Sequence, residues 1–189
     1  MIEDYFLHFK NVFLTISLDG YKSNYEYVRY PAKWEVMKNN LDLVKKYSNK
    51  LVLDYSITFQ TYSCISMIKQ YEFMSQYAIE DDLQKNGVSP TYVKHPYYLD
   101  LKLLPNVVKE KLIDMYQKSD IIKNLPAGYK KDWNNKIKYL SYQNKKDDDL
   151  VAIKEFVRYT KTLDKVRTQS FKNSCPEEWD LLKEYFDGS

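Results

Sequence analysis

Three polar residues near the start of the chain, Ser17, Asp19 and Arg29, have the types and spacing to hold a small anionic ligand. A hydroxyl donates and accepts, a carboxylate binds sugar hydroxyls or an amine, and a guanidinium clamps a carboxylate through two parallel bonds. Plainer roles are open to the same residues: Asp19-Gly20 is a turn pair, and Arg29 has Glu26 and Glu35 close by as salt-bridge partners. A turn accounts for Asp-Gly, but not for a serine on the same side of the apolar strand that precedes it.

That strand is the element that must position them. Phe13, Leu14, Ile16 and Leu18, with Thr15 and Ser17 between, form a short β-rich run that Asp19-Gly20 ends sharply. Polar groups at the carboxyl end of a strand stand where parallel α/β folds place their ligands. Residues 21–33 read as a polar loop, with Pro31 suited to a first helical turn. Trp34, Met37, Leu41, Val44 and Tyr47 then recur at helical spacing up to Ser48-Asn49.

A second strand is predicted over 51–59, where Leu51, Leu53, Tyr55, Ile57 and Phe59 alternate with Val52, Asp54, Ser56 and Thr58. It ends in Gln60, which either reaches the same mouth or caps the next turn. A helix over 64–80 follows, closed by Asn86-Gly87 after an acidic stretch. Residues 91–105 then read as an irregular edge strand or two short strands around Pro96. Tyr98 and Leu99 on that segment either line the ligand pocket or sit in the core. Cys64 opens a helix and is expected to be inert, while His95 lacks a partner carboxylate beyond Asp100.

Three strands separated by crossover helices imply parallel pairing and right-handed connections, half of a barrel. The chain enters the first strand from what reads as a helix end, with Tyr5, Phe6 and Phe9 on one face, as if neighbours were missing on one side of the sheet. From Pro105 the periodicity is helical: 107–116, 125–140, and a long helix after the charge run 144–149, which reads as a solvated helix start. Pro176, with Glu177 and Glu178 behind it, opens a last helix. The expected fold is therefore α/β, the C-terminal half of a partial parallel (β/α) barrel over 1–105 followed by a helical C-terminal region over 106–189.

ISLDG at 16–20, Tyr25-Glu26-x-x-Arg29, and the helix from Trp34 with Asn39-Asn40-Leu41 resemble the fourth strand and following helix of the radical S-adenosylmethionine enzymes. The likeness is to variants with a small C-terminal twitch-type extension. The 51–62 strand with its Gln60, the 96–105 segment ending in Leu-Pro, and Leu163-Asp164-x-x-Arg167 before a Pro-Glu helix, as in phage-type members, agree in order and spacing. The resemblance implies that Ser17 and Arg29 contact the ribose and carboxylate of S-adenosylmethionine; Asp19, beside Ser17, then has ribose hydroxyls or the cofactor amine as its ligand, Gln60 has substrate or adenine, and Tyr98 and Leu99 pack on adenine. Relatives tend to carry an asparagine three residues after that glutamine, where this chain has Ser63.

The CxxxCxxC loop that holds the family's 4Fe-4S cluster is not in this sequence. The resemblance therefore implies a truncated or split enzyme, inactive as this chain alone, with an N-terminal half or upstream segment as the partner that supplies the cluster. A non-catalytic binding or assembly module derived from the fold is the alternative.

Composition narrows the remaining classes. At 189 residues the chain is long enough for one real core, burying roughly 70% of its unfolded surface. No apolar run approaches the ~20 residues of a membrane span, so a soluble protein with no membrane partner is expected. A net charge of +3 does not argue for nucleic acid, and the 19 tyrosines are scattered rather than grouped as a stacking surface. Cys64 and Cys175 are the only cysteines, too few for a metal or cluster site built on three or four thiolates, and an acidic start unlike a signal peptide points to a cytoplasmic location.

Overall fold

Leu51, Leu53, Tyr55, Ile57 and Phe59 are buried while the residues between them are half-exposed, and this alternation makes the second strand the spine of the sheet. The structure is a computed structural model that describes residues 5, 8–10, 12–47, 51–77, 88–144 and 149–187. Strand β1 (Val12–Ser17) is followed by helices α1 (Ser23–Val28) and α2 (Trp34–Lys45), then by β2 (Leu51–Phe59), helix α3 (Met67–Ser75) and β3 (Val88–Tyr92). Helices α4 (Asn106–Lys118), α5 (Asp120–Asn124), α6 (Ala127–Leu140), α7 (Asp149–Arg167), α8 (Phe171–Ser174) and α9 (Pro176–Asp187) complete the chain. The fold is mixed α/β, a small parallel sheet followed by several helices.

The strand order is β1-β2-β3, with both pairs parallel. Register places Phe13 beside Val52, Thr15 beside Asp54 and Ser17 beside Ser56, so these residues share one face. That face is open on β1, where Phe13 is 77% exposed, while the opposite face lies under the helices. One hydrophobic cluster runs from Leu18 through the odd residues of β2, α3, α4 and α6 to Phe171 and Phe186.

Several local readings change. Residues 23–28 form a helix rather than a loop, and α2 starts at Trp34 because its backbone N–H is held by the Glu26 carboxylate at 2.9 Å, not at Pro31. A 3₁₀ turn at Thr61–Ser63 takes the chain off β2, so α3 begins only at Met67. The third strand is 88–92, with Pro90 inside it, which an edge strand tolerates because its outer side needs no donor. Residues 97–99 and 101–103 are 3₁₀ turns, the second capped by Asp100, whose carboxylate accepts from Lys102 N at 2.9 Å. Tyr98 and Leu99 therefore stand on a turn beyond the sheet and not on the third strand. Most of the segment before β1, Ser48-Asn49, the end of the helix read over 64–80, Asn86-Gly87 and most of the charge run lie outside the described residues.

A buried ionic knot ties α6 to α3. Lys136 is fully buried; its Nζ donates to Tyr71 Oη at 2.7 Å and contacts Asp132, whose carboxylate also accepts from the Tyr71 hydroxyl. Burial pushes the Lys136 amine below its ordinary value against the pull of Asp132, and the rings of Tyr71, Phe59 and Trp133 surround the charge at 4.9–5.6 Å.

Candidate functional site

Beyond Ser17 the chain leaves the sheet through Leu18, Asp19 and Gly20, and this corner is fixed from below by α3. Gln70 is fully buried, accepts from Gly20 N at 2.7 Å through Oε1 and donates to Leu18 O at 2.6 Å through Nε2. Gly20 has φ +91°, and a Cβ there would meet Asn24 Oδ1 at 2.1 Å, so only glycine fits. Asn24 in turn donates to Tyr62 O at 2.6 Å, tying α1 to the turn after β2.

The corner presents Asp19 to both strands. Its Oδ1 accepts from Thr58 N at 2.7 Å, and its Oδ2 accepts from Arg29 Nη1 at 2.7 Å. The same Nη1 donates to Ser17 Oγ at 2.8 Å. Ser17, Asp19 and Arg29 are thus brought together at the carboxyl end of β1, although Arg29 is twelve residues from Ser17 in sequence. Glu26 and Glu35 are not its partners; Glu26 instead holds Trp34 N and approaches Lys33 at 3.8 Å.

Arg29 and Asp19 line a cleft of about 450 Å³ between the end of the sheet, α1 and α7. Gln60, Tyr62 and Leu99 contribute the sheet side, Tyr27, Val28 and Tyr30 the α1 side, and Tyr159, Leu163 and Arg167 come from α7. Of the residues singled out in sequence, Asp19, Arg29, Gln60 and Leu99 reach the cleft. Ser17 stands exposed on the open sheet face and is joined to the cleft through Arg29. Tyr98 is not on the cleft wall; its ring packs on Tyr159 with centroids 4.9 Å apart. Gln60 precedes the 3₁₀ turn without capping it, so the plain capping role is not the one it takes.

The α7 wall comes from the Leu163-Asp164-x-x-Arg167 tail. Asp164 accepts from Tyr27 Oη at 2.9 Å and from Phe171 N at 2.9 and 3.0 Å, and Arg167 Nη1 donates to Tyr27 O at 3.3 Å. Burial raises the Tyr27 and Tyr62 phenols above their ordinary range, so both stay neutral; Tyr62 Oη lies 2.8 Å from Thr160 Oγ1. Tyrosines 27, 30, 62 and 159 were not legible as cleft residues, because nothing in their spacing distinguishes them from the other fifteen.

Neither cysteine resembles a reactive thiol: Cys64 and Cys175 are both fully buried, and burial raises both thiols. His95 is exposed after β3 and lines no part of the cleft. Among the described residues no group of three His, Cys, Asp or Glu side chains is placed to hold a metal, and no helix is long and apolar enough to cross a membrane. No family model matches the chain, and neither a curated protein nor a solved structure does.

Proposed function

We propose that this chain is the cofactor-facing, C-terminal half of a (β/α) barrel of the radical S-adenosylmethionine type. In this reading Ser17, Asp19 and Arg29 receive the ribose, amine and carboxylate of S-adenosylmethionine, and a second segment joins at β1. The observation that carries it is the Arg29 guanidinium bridging Ser17 and Asp19 at the carboxyl end of an edge strand, beside an open cleft. Such a corner offers hydroxyl, carboxylate and guanidinium to one ligand, and the guanidinium donors of Arg29 other than those of Nη1 make no bond among the described residues.

Two features support the second segment. The outer edge of β1 has no strand beside it among the described residues, and a row of free main-chain donors and acceptors accepts another strand. On α2, Asp42 and Lys45 bond to α3's end through Tyr77 Oη and Gln76 O, whereas Val36 and Leu43, seven residues apart, lie exposed on the flank turned away from α3. A strand-helix unit would pair with β1 and cover that flank together. The half-exposed Ser56 and Thr58 of β2, with Thr15 and Ser17, would then face the interior of a barrel.

The cluster itself does not fit this chain: two buried thiols with raised pKa values are not a set of three cluster ligands. Its own residues bind and orient the cofactor's outer groups, and the cysteine loop belongs to the partner. Titration with S-adenosylhomocysteine, the unreactive analogue, tests the assignment. Weak binding by the chain alone that is lost in Arg29→Gln is expected; binding indifferent to Arg29 would refute it. The second reading, an assembly module without chemistry of its own, is favoured by the buried cysteines. Iron and sulfide reconstitution together with the upstream coding region separates the two: a brown species that cleaves S-adenosylmethionine supports the enzyme, and no cluster in any combination supports the module.

A further inference from the structure

Arg29 is neutralised by Asp19, but Arg167 on the same cleft is not. Its contacts are the 3.3 Å bond from Nη1 to the Tyr27 carbonyl and the face of the Tyr30 ring, 5.3 Å from the guanidinium carbon. Among the described residues it has no carboxylate partner: Asp164, one turn earlier, is committed to the Tyr27 hydroxyl and the Phe171 N–H. A guanidinium has five N–H donors, and Arg167 uses one of them among the described residues. The cleft therefore holds two guanidinium groups against the single carboxylate of Asp19.

The walls beside Arg167 mix polar and apolar groups: Tyr27 and Tyr62 are buried, and Tyr159, Leu99 and Leu163 are half-exposed. Tyr30 lies under the guanidinium, and Tyr27, Tyr62, Tyr159, Leu99 and Leu163 continue the lining. Half-exposed Tyr159, Leu99 and Leu163 offer contact to a ring, and a guanidinium with no carboxylate partner among the described residues takes an oxyanion through parallel charge-assisted bonds.

We infer that Arg167 anchors the anionic group of a ring-bearing substrate, a phosphate or carboxylate joined to an aromatic ring directly or through a sugar, with the half-exposed Tyr159, Leu99 and Leu163 beside the ring. This rests on the reading that the Arg29 corner faces the cofactor, which leaves the α7 side of the cleft for the second ligand. Within it Arg167 is a substrate-binding residue and sets specificity for charge.

The test titrates the full chain with two pairs of probes that share a ring and differ in charge: AMP against adenosine, and nicotinate against nicotinamide. The anionic member of at least one pair should bind about tenfold more tightly, the equivalent of one well-formed charge-assisted contact. Which pair discriminates tells phosphate from carboxylate. Arg167→Gln should abolish the preference and leave the neutral member's affinity unchanged, whereas Arg167→Lys should keep part of it. Absence of discrimination in both pairs overturns the inference, as does a preference that survives Arg167→Gln. So does equal weakening of neutral and anionic probes, which would mean that the guanidinium only props Tyr27 and Tyr30. The cofactor reading fails separately: if S-adenosylhomocysteine ignores Arg29→Gln while the anion preference still depends on Arg167, the anion site stands without it.

Discussion

Replacing Gln70 by methionine probes how the candidate site is built, independently of any ligand. The amide is fully buried and makes both of its bonds to one corner, from Gly20 N at 2.7 Å and to Leu18 O at 2.6 Å. Methionine has similar reach and no comparable polar group, so one main-chain donor and one acceptor would lose their partner. An unsatisfied buried polar group costs about 1–3 kcal/mol, so Gln70→Met should lower stability by about 2–6 kcal/mol, read from urea unfolding at neutral pH. Gln70→Glu refines the test. A protonated carboxyl reproduces the amide, its O–H donating to Leu18 O and its carbonyl accepting from Gly20 N; the ionised form cannot donate. The folded-state pKa of that glutamate would therefore be raised, leaving the variant near wild-type stability below its ordinary value of about 4.3 and progressively weaker as pH rises. A loss under about 1 kcal/mol for Gln70→Met, or a Gln70→Glu variant with the pH profile of the wild type, would show that the corner is held by something other than this amide.

Glu178 supplies a second pH dependence. Its Oε1 accepts from Ile65 N at 3.0 Å and Ser66 N at 2.7 Å, yet burial outweighs these bonds and raises its pKa from 4.5 to about 7. Between those values the folded state keeps a proton that the unfolded chain releases, so this residue's contribution falls as pH rises. Glu178→Gln should therefore gain on the wild type by about 3 kcal/mol between pH 4.5 and pH 8, as seen in paired urea melts; parallel profiles would contradict this. In the knot between α6 and α3, Lys136→Met leaves the Asp132 carboxylate buried beside Tyr71 and should cost about 3–5 kcal/mol. Adding Asp132→Leu should restore part of that loss, and an additive double mutant would show that the two charges do not depend on each other.

What was legible in the sequence followed from strict periodicity. The bounds of β2 coincide with the expected strand because Leu51 to Phe59 alternate without a break, and α9 opens at Pro176 as its first-turn chemistry requires. The approach of Arg29 to Ser17 and Asp19 was legible from the polar end of an apolar strand and one arginine beyond a short connection. The rest depends on partners far apart in the chain. Ser23–Val28 is a helix although its sequence reads as loop, with Asn24 and Tyr27 tied at a distance to Tyr62 and Asp164. Gln70 looks like any polar residue on a helix until the corner it holds is placed over it. The third strand lies at 88–92 instead of within 91–105, with Pro90 inside it because an edge position needs no donor on its outer side.

Asp19 links these features, since its two oxygens bind different parts of the fold. Oδ1 holds the Thr58 N–H at the end of β2, and Oδ2 holds Arg29. The guanidinium is therefore already aimed, and under the proposed function a ligand carboxylate would meet the remaining donors of Arg29 instead of having to order the side chain first. That removes part of the ordering cost that an exposed arginine would incur on binding, about 0.5–1.5 kcal/mol for a rotamer-rich side chain. The same carboxylate offsets only one of the two guanidinium groups that line the cleft, that of Arg29. An anionic group held at the Arg29 corner would leave Arg167 uncompensated, so the two proposed sites together place one anion at the strand end and another against the last turn of α7.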